Sequence, residues 1–176
     1  MPKRLLIPTE LLKADTQAFF DVLNNEPDFS IVVVSTSYVD ACLSALLQSF
    51  MLESSVSDKL LDSRSGALGS FAARSDAAYV MGLIPKTIYQ DLQQLAEIRN
   101  QFAHHHLSLS FSIPAVEAAC LKLKHLGTMK NGDIDEPAFP PDRMPPARER
   151  FKFTVMVISH YLIQASETMK RLEENV

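Results

Sequence analysis

Apolar residues recur every three or four positions through most of this chain, and each run that keeps the step predicts one helix. The clearest is Ile88, Leu92, Leu95, Ile98 and Phe102, one buried face of a helix from Ile84 to Ala103 with Pro85 in its first turn. Leu11, Leu12, Ala18, Phe19, Val22 and Leu23 predict an earlier helix over Thr9 to Asn24, stopped by Asn24-Asn25 and Pro27. Asp28 is then a candidate N-cap for the most hydrophobic helix, about Ser30 to Leu52. A short helix is expected around Val56 to Leu61. Gly66-Ala67-Leu68-Gly69 reads as a tight turn ahead of a helix from Ser70 to Gly82, where Gly82 is the C-terminal stop. Pro114 opens another helix ending near Gly127. Phe151, Val155, Ile158, Leu162, Ala165 and Met169 mark a final one from Arg148 to Glu174, long enough to cross a whole domain.

Two segments break the helical rhythm. Leu107 to Ile113 alternates apolar residues with Ser and reads as a short strand or an extended link. Gly127 to Ala147 holds five of the ten prolines and no apolar period, the pattern of a surface connection. One strand alone makes no sheet. The expected fold is therefore all-α, a single-domain bundle of about six to seven helices. Its parts are an N-terminal helical extension (1–28), a core (29–126), a proline-rich connection (127–147) and a long C-terminal helix (148–176). A long helix reached through a long connection packs on its own bundle or on a second copy, so a homodimer is one expectation.

Composition narrows the function. At 176 residues and 47% hydrophobic content the chain buries one core, and its 5 glycines favour helices over sheets. A formal charge of −4 leaves no electrostatic footprint for nonspecific duplex binding, so any nucleic-acid contact is local. Cys42 and Cys120 sit in apolar helical surroundings without CxxC or Cys/His spacing, and read as buried hydrophobes of a reducing compartment. Lys3-Arg4 is followed by too short an apolar run for a signal peptide. Ile31 to Leu52 is long enough for a membrane span, but Asp40 and six Ser, Thr and Gln residues interrupt it. It reads as the core helix of a cytoplasmic protein with no membrane contact.

The most concentrated chemistry is Arg99-Asn100-Gln101-Phe102-Ala103-His104, at the end of the clearest helix. At about 100° per residue Asn100 and His104 share a face, and Arg99 points to the side with a stem long enough to bend back. A guanidinium beside an imidazole holds a phosphate and moves a proton near it, while the amide orients either. The same residues also read as a helix end, where Arg99 and His104 to His106 complement the macrodipole and cap free carbonyls. Asp40 is the carboxylate partner expected for Arg99 or Arg74, either at the site or as a buried ion pair. The three histidines are consecutive and fan around the helix, so no metal site and no cofactor are expected. Dinucleotide, P-loop and zincin motifs lack their residues, and Ser/His catalysis lacks its nucleophile elbow. Arg143, Arg148, Arg150 and Lys152, diluted by Asp142 and Glu149, read as a solvated helix start.

Read in order, Gly66-Ala67-Leu68-Gly69, Phe71-Ala72-Ala73-Arg74, Tyr79 to Ile84, Ile88-Tyr89-Gln90-Asp91 and Ile98-Arg99-Asn100 through His104 resemble the bacterial mannitol operon repressor family. The resemblance covers about Phe29 to His104 and extends loosely through the proline-rich connection. It implies an all-α transcriptional repressor of sugar-alcohol uptake that lacks a recognisable DNA-reading helix-turn-helix, and hence regulation through protein contacts or an unconventional nucleic-acid contact. The Arg-x4-His run also resembles the signature of HEPN domains, helical proteins that often pair through their motif helices and many of which are metal-independent endoribonucleases. That second resemblance implies Arg99 at the scissile phosphate, His104 handling the proton of the ribose 2′-OH or leaving oxygen, and Asn100 orienting them. Met1 to Asp28 carries no motif of either family. The expected function is a noncatalytic regulator with a protein partner, the alternative a ribonuclease whose site forms across a dimer.

Overall fold

The apolar run after Pro27 forms the helix around which the others assemble. A computed structural model of the protein describes residues 12–13, 15–104, 110–124, 128–131, 134–137 and 144–168, with the side chains of His104 and of 128–131 and 134–137 excepted. Seven helices lie among the described residues: α1 Thr16–Asn25, α2 Asp28–Phe50, α3 Ser55–Leu61, α4 Phe71–Val80, α5 Lys86–His104, α6 Pro114–Leu121 and α7 Ala147–Thr168. The fold is all-α, as the periodicity predicts. The expected helical turns at Thr9 to Leu11 and Met169 to Glu174, the link at 107–109, and His105 and His106 lie outside the described residues.

Helix α2 is buried on more than one side, Cys42 to Leu47 being enclosed without a break, and α7, α4, α5 and α1 pack around it. It is also the one helix among the described residues long and apolar enough to cross a membrane; 61% of its most apolar window is buried within the protein, as a core helix requires. Its largest neighbour is α7, whose Phe151, Val155, Ile158 and Leu162 are fully buried. Each such side chain contributes roughly 1.5–3 kcal/mol relative to exposure. These four side chains are covered within the chain, largely by α2. On α5 the predicted face, Ile88, Leu92, Leu95, Ile98 and Phe102, is inaccessible to solvent. Phe102 continues into Phe111 and Phe151 with ring centroids 5.7 and 5.3 Å apart.

The stops follow local chemistry. After α4, Gly82 adopts φ +71°, and the Gly82 and Leu83 N–H groups donate to Tyr79 and Ala78 carbonyls, closing the helix in a Schellman motif. A Cβ at Gly66 would stand 2.3 Å from the Leu60 carbonyl oxygen, and one at Gly69 2.4 Å from that of Asp62, so the turn before α4 admits only glycine without a shift.

Four expectations are corrected. Asp28 is the first residue of α2 rather than its N-cap, which is Pro27; its carboxylate instead accepts the Phe111 N–H and the Arg148 Nε–H, both at 3.0 Å. Helix α6 ends at Leu121, not near Gly127, because the Lys122 and Leu123 amides turn back to Ala119 and Cys120 and the Asp91 carboxylate takes the Lys124 N–H at 2.8 Å. Within the proline-rich connection, β1 Thr128–Asn131 and β2 Ile134–Pro137 pair antiparallel, Thr128 opposite Pro137 and Asn131 opposite Ile134. Such a hairpin needs only a tight local reversal, and a window dominated by prolines hides it; Pro137 falls at the strand's end, where its missing N–H is tolerated. The basic start of α7 is clamped rather than solvated: Arg148 also donates to the Glu26 carbonyl, and Arg150 is buried with Nε donating to Pro145.

Candidate functional site

Three helices bring chemistry together where α4 begins. Asp40 projects from the middle of α2, Arg74 lies one turn into α4, and Arg99 stands near the end of α5. Ser70, the N-cap of α4, accepts the Ala73 N–H at 3.2 Å, and the glycine turn delivers that cap beside α3.

Asp40 pairs with Arg74. Nη1 of Arg74 donates to both carboxylate oxygens at 2.7 Å and Nη2 donates to the Leu61 carbonyl at 3.1 Å, so one guanidinium ties α2, the end of α3 and α4. The Arg74 side chain is 4% exposed and that of Asp40 32%. The pair therefore has a buried cationic end and a half-buried anionic end, and removing either partner strands the other. Nε of Arg74 is buried with no hydrogen-bond partner among the described residues.

Arg99 behaves otherwise. It is exposed and makes no hydrogen bond or ion pair among the described residues, neither to Asp40 nor to a helix-end carbonyl. It borders a cavity of about 290 Å³ whose other walls include Thr36, Ser37 and Asp40 of α2 and Ser70 and Phe71 at the start of α4. Asn100 is exposed beside it. His104 is the last residue of α5, and its side chain lies outside the described residues. The structure thus brings Arg99, Asp40 and Arg74 to one region, with Asp40 committed to Arg74.

Sequence reasoning missed Thr36, Ser37 and Ser70. The signal was present: Thr36, Ser37 and Asp40 sit three and four apart, a polar stripe on an otherwise apolar helix. Among the described residues no group of three or more His, Cys, Asp or Glu side chains converges as a metal site. Cys42 and Cys120 are free and buried, and burial pushes each thiol up to about 12. Neither is a nucleophile near neutral pH.

Fold and site together define an all-helical bundle with one clamped and one uncommitted arginine around a small polar cavity. The mannitol repressor family model matches residues 30–173, and the chain belongs to that family. The match runs beyond His104, through the proline-rich connection and into the last helix, and leaves the N-terminal extension outside. No curated protein and no solved structure matches the chain.

Proposed function

We propose that this member of the mannitol repressor family is a noncatalytic cytoplasmic regulator whose repressive step is contact with a partner protein. The observation that carries the reading is an exposed apolar corner at the end of α4. Val80 keeps 83% of its surface in solvent, Tyr79 and Met81 flank it, and Tyr79 stacks on Tyr89 with ring centroids 4.5 Å apart. The Tyr89 hydroxyl donates to Asp76 at 2.9 Å and holds the pair in place. Stacked, pre-ordered aromatics beside aliphatic surface are the anchors protein interfaces use. The charge of −4 supports the same reading, because sequence-independent DNA affinity comes from neutralising phosphates.

The test combines transcription with direct binding. In a mannitol-operon reporter strain, Val80→Asp combined with Tyr79→Ala is expected to relieve repression while the purified variant melts within a few degrees of wild type. Purified wild-type chain is expected to leave operator DNA unshifted at physiological salt. Full repression by the variant, or sequence-specific DNA binding by the chain alone, overturns the proposal.

A second reading is favoured by the freedom of Arg99. In a metal-independent endoribonuclease, Arg99, Asn100 and His104 from two subunits would form the site. Arg99 would neutralise the scissile phosphate during attack by the 2′-OH and His104 would move its proton, a reaction that asks for positioning and charge more than for new covalent chemistry. The exposure of Arg99 and Asn100 supports it. Cleavage of labelled single-stranded RNA in EDTA, lost in Arg99→Ala and in His104→Ala, would replace the regulator with the nuclease. No cleavage at high protein excess would remove this reading.

A further inference from the structure

We propose that the cavity between α2, the start of α4 and Arg99 is a binding site for a small anion that also carries hydroxyl groups. The proposal follows from which polar atoms of the wall are already committed. Thr36 donates its hydroxyl proton to the carbonyls of Val32 and Val33, and Ser37 donates its own to Val33. A hydroxyl has one proton, so both face a ligand as acceptors. Asp40 takes Arg74 on both oxygens and keeps spare lone pairs. Ser70 accepts from Ala73, which leaves its proton to donate. Arg99 brings a planar fork of donors with no partner among the described residues.

The wall therefore offers a cationic donor fork at one edge and mostly acceptors elsewhere. Among the described residues, Asp40 and Arg74 cancel in charge, and Arg99 leaves the site one positive charge in excess. A ligand that satisfies this set places a phosphate or carboxylate on Arg99 and donates hydroxyl protons to Thr36, Ser37 and Asp40. A bare anion leaves the acceptors unmet, and an uncharged polyol leaves the fork unmet. At about 290 Å³ the cavity lies at the small end of ligand pockets, which excludes a folded polymer and suits a compact metabolite.

Titration calorimetry on the full chain tests this with four probes: glycerol 3-phosphate, glycerate, sulfate and glycerol. Saturable binding of glycerol 3-phosphate or glycerate is expected, about tenfold or more tighter than sulfate or glycerol, and the tighter of the two identifies the anionic group. Arg99→Gln is expected to weaken it about tenfold or more, and Arg99→Lys, which keeps charge without the fork, by less. Arg99 is exposed, so both variants should fold, which circular dichroism checks. No saturable binding of either hydroxylated anion overturns the proposal, as does equal binding of sulfate or unchanged affinity in Arg99→Gln. Arg99-dependent binding of an oligoribonucleotide when neither small anion binds also overturns it, and assigns the cavity to the ribonuclease reading.

Discussion

Arg74 and Arg99 border the same carboxylate-bearing stretch of α2 and do opposite things. Arg74 is enclosed, donates to both oxygens of Asp40 and to the Leu61 carbonyl, and joins three helices. Arg99 stands in solvent with no partner among the described residues and borders an open cavity. Their difference is set by where each lies on its helix. Arg74 follows the buried side of a short helix pressed against α2 and α5 by the glycine turn, whereas Arg99 comes just after Ile98 on α5, one position off the apolar face. A cation on the inward side has to find a carboxylate; one a step away is left for a ligand.

The contrast breaks first at Arg74. Arg74→Ala is expected to lower unfolding free energy by about 3 kcal/mol, since it strands the Asp40 carboxylate and a buried carbonyl. Urea unfolding measures this, and a loss below about 1 kcal/mol would show that the clamp is not structural.

The next effect locates stability in the apolar side of α2 rather than at the cavity. Cys42 lies two residues beyond Asp40, and Cys120 packs in the same core. In the folded state both thiols hold their protons from the ordinary 9.0 up to about 12. Across that window the unfolded chain binds fewer protons than the native one, so stability falls as pH rises. Each thiol should cost about 1 kcal/mol between pH 9 and 10, and a Cys42→Ala, Cys120→Ala variant should lose about 2 kcal/mol less than wild type over the same interval. Parallel pH dependence of the two proteins would show that the thiols ionise freely.

The smallest effect is the most telling for function. Arg99→Gln is expected to change stability by less than about 0.5 kcal/mol, as surface substitutions do. A large loss in thermal unfolding would make Arg99 a second clamp and remove the contrast.

How much of this was legible depends on the range of the interaction. The helical faces of α5 and α7 were readable because burial imposes its period on the chain wherever an amphipathic helix meets a core. Pro114, Gly82 and the glycine turn were readable because their backbone requirements are local. The β-hairpin was not, since its strands of four residues are too short to impose a period. Nor was the early end of α6, which depends on Asp91 reaching Lys124 from another helix. At the candidate site, sequence singled out Arg99, Asn100, His104, Asp40 and Arg74 but left open which arginine Asp40 would take. It passed over Thr36, Ser37 and Ser70 because a hydroxyl in a helix or at a cap has an ordinary local use.

The sequence by itself determined an all-α fold class, the helices that would be buried, and membership of a repressor family through motifs kept in order. Only the tertiary structure decided that α7 covers α2, that Asp28 spans to Phe111 and Arg148, and that Asp40 belongs to Arg74. Periodicity records what one residue does relative to its own helix axis. Which helix lies opposite is fixed by shape and by pairings between residues 120 and more positions apart, and no local pattern carries that information.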